Sequence, residues 1–266
     1  MIIQSPQQSM METNIFIYTM KIENMETFIV EKDNPELKNS ILIEGLPGVG
    51  LVGKIAVDYM ISELKAKKFA DLYSPYMPHQ ALIKRKSEVE LIKNEFYYYR
   101  GKKDVIFLAG EAQAVDIFGH YEITSKILDY VEKYDVQEII TLGGFATKEG
   151  GNRIFGAVTD PKIVKKYEKL NITFMKEGSI VGAAGLLLGM GRLKGLKGVC
   201  LLGECPGYLV APKAAKAILK VITKILGIKM NFEKLDERVK KTEEFLENIK
   251  LLENTEDKNI KEDYIG

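Results

Sequence analysis

The chain is expected to fold as an α/β protein, a three-layer α/β/α sandwich around a mostly parallel, partly mixed central sheet. Three observations predict this. Apolar runs of strand length alternate with stretches of helical period from residue 26 to residue 226. Several runs, such as VIFLAG between Asp104 and Glu111, are apolar without alternation, as strands buried on both faces must be. The tyrosine-rich residues 91–99 end at Arg100-Gly101, the mark of a hairpin partner, so part of the sheet is antiparallel.

The elements follow in order. Residues 26–30 and 41–44 read as strands. Residues 49–64 read as a helix, because Val52, Ile55, Ala56 and Tyr59 recur at helical spacing. Short strands are expected at 70–73 and 81–84, before the 91–99 run and the VIFLAG strand. Residues 121–134 form a helix with Ile127, Leu128 and Val131 on one face, and His120 stands at its start. Residues 138–142 are a buried strand opening into Gly143-Gly144. Strands at 155–158 and 171–175 flank a helix at 161–170. A glycine-interrupted helix at 180–190, a buried strand at 197–202 and a helix at 211–226 complete the domain.

This gives a disordered polar leader at 1–24, an α/β domain at 25–230, a C-terminal amphipathic helix at 231–252 and a flexible polar tail at 253–266. The helix carries Leu235, Val239, Leu246, Ile249 and Leu252 on one stripe. That stripe packs either on its own domain or at a subunit interface. The tail ends in Tyr264, Ile265 and Gly266, apolar residues at the tip of a polar segment.

Composition narrows the function. The 266 residues are 46% hydrophobic and 28% charged, enough for a full core. A net charge of +1 leaves no electrostatic footprint for nucleic acid. Cys200, Cys205, His79 and His120 match no zinc spacing, so no metal is expected. Apolar runs are broken by Gly or Lys well short of a membrane span, which reads as a cytoplasmic protein without membrane contact.

The segment ILIEGLPGVGLVGKIAVDYM, residues 41–60, orders strand, glycine turn and helix as nucleotide-binding proteins do. Gly48, Gly50 and Gly53 fit G-x-G-x-x-G, and Gly48 to Lys54 fits G-x-x-x-x-G-K. A phosphate loop needs a hydroxyl after its Lys, and Ile55 stands there. Three readings stay open. The turn binds a phosphate or other anion through Gly48, Gly50, Gly53 and Lys54. It binds a dinucleotide, with Asp71 as the acidic partner. Or its glycines only let a strand turn tightly into a packed helix.

Strand ends are where an open α/β sheet places its chemistry. They carry Glu44, Glu111 and Glu204, which serve either as a carboxylate cluster for acid–base work or a metal, or as helix caps or partners of turn amides. No G-x-S-x-G elbow exists, Ser179 has no credible His partner, and Cys205 would need His120 beside it in space. No catalytic residue and no cofactor is assigned.

Five segments stand in a telling order: EGLPGVGLVGKIA (44–56), LAGEAQ (108–113), TLGGFAT (141–147), GSIVGAAGLLLGMG (178–191) and LLGECPGYLVAPKAA (201–215). Together they resemble the archaeal branch of the proteasome assembly chaperone family, over roughly residues 28–235. The resemblance implies a sandwich similar to nucleoside phosphorylases and related hydrolases, without their activity. It implies a homo-oligomer that acts in assembly or activation of the core proteasome. The implied partners are proteasome α subunits or a paralogous family member. Docking in this context uses a C-terminal hydrophobic-tyrosine-any tripeptide, which falls here on Tyr264, Ile265 and Gly266. Ile265 holds the penultimate place, and Tyr264 is shifted by one. The alternative class is a phosphorylase- or hydrolase-like enzyme, or a nucleotide-binding protein, using the turn at 44–54.

Overall fold

A computed structural model describes residues 26–148, 150–207 and 209–245. The leader at 1–24, the later part of the helix expected at 231–252 and the tail with Tyr264, Ile265 and Gly266 lie outside the described residues. The strands are β1 (Phe28–Glu31), β2 (Ser40–Glu44), β3 (Lys67–Tyr73), β4 (Ala81–Ile83), β5 (Val89–Leu91), β6 (Asn94–Tyr99), β7 (Val105–Gly110), β8 (Val136–Ala146), β9 (Ile154–Val158), β10 (Ile172–Phe174) and β11 (Lys197–Cys205). The α-helices are α1 (Val52–Glu63), α2 (Ile117–Glu132), α3 (Ala183–Leu193) and α4 (Pro212–Leu226), followed by a helical segment at 233–245.

Nine strands form one sheet in the order β1-β3-β6-β7-β2-β8-β11-β9-β10, and β4 pairs with β5 as a separate hairpin. Neighbours among β7, β2, β8 and β11 run parallel. The β1-β3-β6-β7 pairings and the β11-β9 pairing are antiparallel, and β9-β10 is parallel. The sheet is therefore mixed, with a parallel centre.

Why helices cover both faces is visible in β2. Ile41 and Ile43 point to one face, among Val52, Ala56 and Met60 of α1 and Ile218 and Ile222 of α4. Leu42 points to the other, among Ile127 and Val131 of α2 and Leu187 of α3. All three β2 side chains are buried. Burying each contributes about 1.5–3 kcal/mol.

Local chemistry sets the helix ends. Asp116 caps α2, its carboxylate accepting from the Gly119 amide at 2.8 Å. Pro212 opens α4 and Gly227, at φ +65°, closes it. The segment at 233–245 returns along α4. Leu235 is buried, Phe232 stacks on Tyr59, and Lys213 pairs with Glu243 at 2.8 Å. The helical segment at 233–245 thus packs on its own domain.

Several boundaries differ from the sequence reading. The 91–99 run is split: β5 belongs to the hairpin, and β6 pairs with β3 and β7. Residues 161–170 are 3-10 rather than α. Helix α2 begins four residues early, at Ile117. Strands β8 and β11 run on to Ala146 and Cys205, held in register with each other to those last residues.

Candidate functional site

The chain leaves β2 towards β3, β6 and β7, and leaves β8 towards β9, β10 and β11. The carboxyl ends of β2 and β8 are therefore a switch point, where open α/β sheets form a crevice. A groove of about 720 Å³ lies there, lined by Gly48, Val49, Leu51, Thr147, Lys148 and Pro206 among others.

The glycine turn forms its wall. Gly50 sits at φ +62°, with the Cys205 sulfur and the Ala211 side chain closing the space a Cβ would need. At Gly53 a Cβ would lie 2.2 Å from the Leu142 carbonyl oxygen. That glycine lets α1 lie directly on β8. The close-packing reading of Gly53 has a specific contact behind it. Gly48 is different, with only Gln113 near its Cβ position, at 3.9 Å.

Lys54 points across the sheet end. Its ammonium donates to the Gly110 carbonyl at 3.1 Å and pairs with Asp58 at 3.0 Å and Glu111 at 3.4 Å. The structure thus places Gly48 and Gly50 at the groove and gives Lys54 two carboxylate partners.

Of the strand-end glutamates, Glu44 bonds a turn amide, as one of the sequence alternatives had it, while Glu111 and Glu204 pair with cations instead of capping helices. Glu111 serves Lys54. Glu44 is buried and accepts from the Leu46 amide at 2.8 Å, and burial pushes its carboxyl up to about 8. Glu204 takes Arg153 on both oxygens, at 2.6 and 3.1 Å, and accepts from Thr147 at 3.2 Å. The Arg153 guanidinium holds its carboxyl down to about 2. Cys205 is buried beside Gly50, and burial pushes the Cys200 thiol up to about 12. Among the described residues no group of His, Cys, Asp and Glu is placed to hold a metal ion, and no helix is long and apolar enough to cross a membrane.

The same edge is apolar. Val49, Leu209 and Val210 are exposed beside the groove. Val115, Ile117, Phe118 and Tyr121 are exposed at the start of α2, and Val181 before α3. Gln113 ties these loops together, donating to the Pro47 carbonyl at 2.6 Å and accepting from the Ala183 amide at 2.9 Å.

The PAC2 family model matches residues 42–250. The chain belongs to the PAC2 family. The chain is similar to an uncharacterised protein of Methanocaldococcus jannaschii, 40% identical over 225 residues, covering 84% of this chain and 87% of that protein. The crystal structure of Pyrococcus furiosus PbaB, an archaeal proteasome activator, is 46% identical with a TM-score of 0.81, covering 85% of this chain and 99% of that one. Pyrococcus furiosus PbaA, an archaeal homologue of proteasome-assembly chaperone, is 29% identical with a TM-score of 0.73, covering 90% of this chain and 98% of that one.

For this PAC2 chain the sequence reading missed Gln113 and the exposed apolar residues of α2. Gln113 stood inside LAGEAQ, one of the five ordered segments. Nothing in the sequence marked Ile117 and Phe118, because exposure has no signature in one sequence.

Proposed function

We propose that this chain is a proteasome activator or assembly chaperone that acts by binding rather than by catalysis, as a homo-oligomer. The observation that carries this reading is its likeness to the archaeal proteasome activator, at 46% identity over nearly all of that chain. The geometry is compatible. Glu204 is saturated by Arg153 and Thr147, and Lys54 by carboxylates, so neither is poised as an acid–base or nucleophile pair. The exposed apolar side chains at the start of α2 supply a surface for self-association.

The proposed partners are proteasome α subunits, reached by Tyr264, Ile265 and Gly266, or a paralogous family member. Each tail binds weakly alone, and several on one oligomer gain by effective concentration. The test is light scattering on the size-exclusion peak, alone and mixed with α subunits. The expected result is an oligomer whose peak shifts with α subunits, and loses that shift on deletion of residues 264–266. A full-length protein indifferent to α subunits overturns the proteasome role.

A second reading is favoured by the open groove beside Gly48 and Gly50: an anion or nucleotide held by the turn amides, with Lys54 released from its carboxylates. Calorimetry with phosphate, nucleosides, ATP and NAD tests it. Heat that is lost in Lys54→Ala supports it, and no heat removes it.

A further inference from the structure

One stretch of the molecular surface offers a knob and a hollow side by side. Phe118, 80% exposed in the first turn of α2, is the knob, and Ile117 and Tyr121 are exposed beside it. The hollow is a cavity of about 430 Å³ between the end of β3 and the β4–β5 hairpin. Tyr73, Met77, Pro78, Leu91 and Ile92 wall it, with His79 and Gln80 as exposed polar members. A cavity of about 150 Å³ takes up benzene, so this one has room for an aromatic side chain. Phe118 of the same chain is not among its walls.

Knob and hollow adjoin. Strand β3 runs in the same direction as β7, so the hairpin after β3 and the start of α2 after β7 share the carboxyl edge of the sheet. Tyr76 stands between them. Its carbonyl accepts from the Val115 amide at 3.0 Å, and a Cβ on Gly119 would lie 2.3 Å from its own. The residues on either side of it, Pro75 and Met77, line the hollow. A two-fold axis through such an edge turns each knob onto the other copy's hollow, so the edge is self-complementary. A knob and a hollow on opposite sides of a subunit would instead build a ring or a filament.

We propose that a second copy of this chain docks on this edge about a two-fold axis, with Phe118 of each copy seated in the hollow of the other. Charge agrees with that orientation. The hairpin turn carries Lys84, Arg85 and Lys86, all exposed, against Glu88. Residues 111–125 hold three carboxylates and no Lys or Arg. The two-fold lays each cationic turn against an acidic helix start, where complementary charge favours the encounter. Area is sufficient as well. Ile83, Val89 and Leu91 are exposed on the hairpin, and Val115, Ile117, Phe118 and Tyr121 on the helix side. At on the order of 100 Å² each they offer about 700 Å² per copy, near the roughly 800 Å² per partner of a stable interface. The inference rests on the homo-oligomer reading above and makes no use of the proteasome.

The test uses the full chain and a short bis-maleimide, since Cys200 and Cys205 are buried. A tagged Ile117→Cys chain is mixed with an untagged Val89→Cys chain, so that only a link between copies joins them. Val115→Cys is treated alone. Its amide bonds Tyr76 between knob and hollow, so a two-fold axis there sets the residue against itself. Leu193→Cys is the control, 88% exposed at the opposite edge. The expected result is that the 117–89 and 115–115 links form about tenfold faster than links through residue 193, and that adding Phe118→Ala cuts both rates about tenfold. A 117–89 link without a 115–115 link overturns the two-fold. Neither link, in a chain whose unmodified form is an oligomer by light scattering, overturns this contact and leaves the homo-oligomer reading standing. A monomer by light scattering overturns both.

Discussion

Glu44 shows what a single side chain contributes here. It ends a strand buried along its whole length, and its carboxyl stays protonated up to about pH 8 because burial disfavours the charged form. Its ordinary value is 4.5. Between these two values the folded chain keeps a proton that the unfolded chain gives up. Stability therefore falls as pH rises through that window and levels off above it. Glu44→Gln keeps an oxygen for the Leu46 amide and never ionises. It should be neutral near pH 4.5 and stabilising by a few kcal/mol, on the order of 4, at pH 8 and above. Urea melts of both proteins across that range check this, and parallel pH profiles would refute it. The sequence placed Glu44 at a strand end. It could not show how completely the fold would bury the carboxyl there, and offered a helix cap or turn amides as its partners; the Leu46 amide is the one it holds. The surroundings of Lys54 were legible only in part. Asp58, four residues on, was legible as a helical partner, while Glu111 reaches it only through the fold.

At the scale of elements, the glycines of the five ordered segments divide by what faces them. In α1, Gly53 lies against a carbonyl of β8 that cannot move aside. In α3, Gly189 has nothing within 4 Å of its Cβ position and is exposed. Gly53→Ala should cost about 3 kcal/mol or more through overpacking, and Gly189→Ala should stabilise by about 1 kcal/mol through helix propensity. Chemical denaturation of the two variants decides it; equal effects would mean the α1–β8 contact is not the constraint. Buried strands were the legible elements, because β2, β7 and the middle of β11 are continuous apolar runs. The ends of β8 and β11 were not. Gly143, Gly144 and Gly203 look like turn residues, yet they sit in ladder register, where their lack of a side chain admits Val49 and Ala214. The tyrosine run misled in the opposite way. Val89 and Leu91 share its alternation but pair with β4, since residues 92–93 lie between the two strands.

For the molecule as a whole, polarity is distributed along the strand direction. Of the large apolar side chains exposed among the described residues, all but Leu193 lie towards the carboxyl edge of the sheet. Phe118, 80% exposed at the start of α2, is the centre of the α2 patch. If the proposed self-association uses this patch, Phe118→Asp should lower the particle mass in light scattering while changing stability by less than about 0.5 kcal/mol, as at any exposed site. Unchanged mass would move the self-association surface elsewhere. The sheet order carries a further consequence, for synthesis. Strand β11 lies between β8 and β9, which make no ladder with each other. On a chain emerging from the ribosome, β9 and β10 can pair together but have no place in the sheet until Cys205 is available. The last strand made is the one that joins its two parts, so a nascent chain stopped before it exposes two unfinished ladders at once.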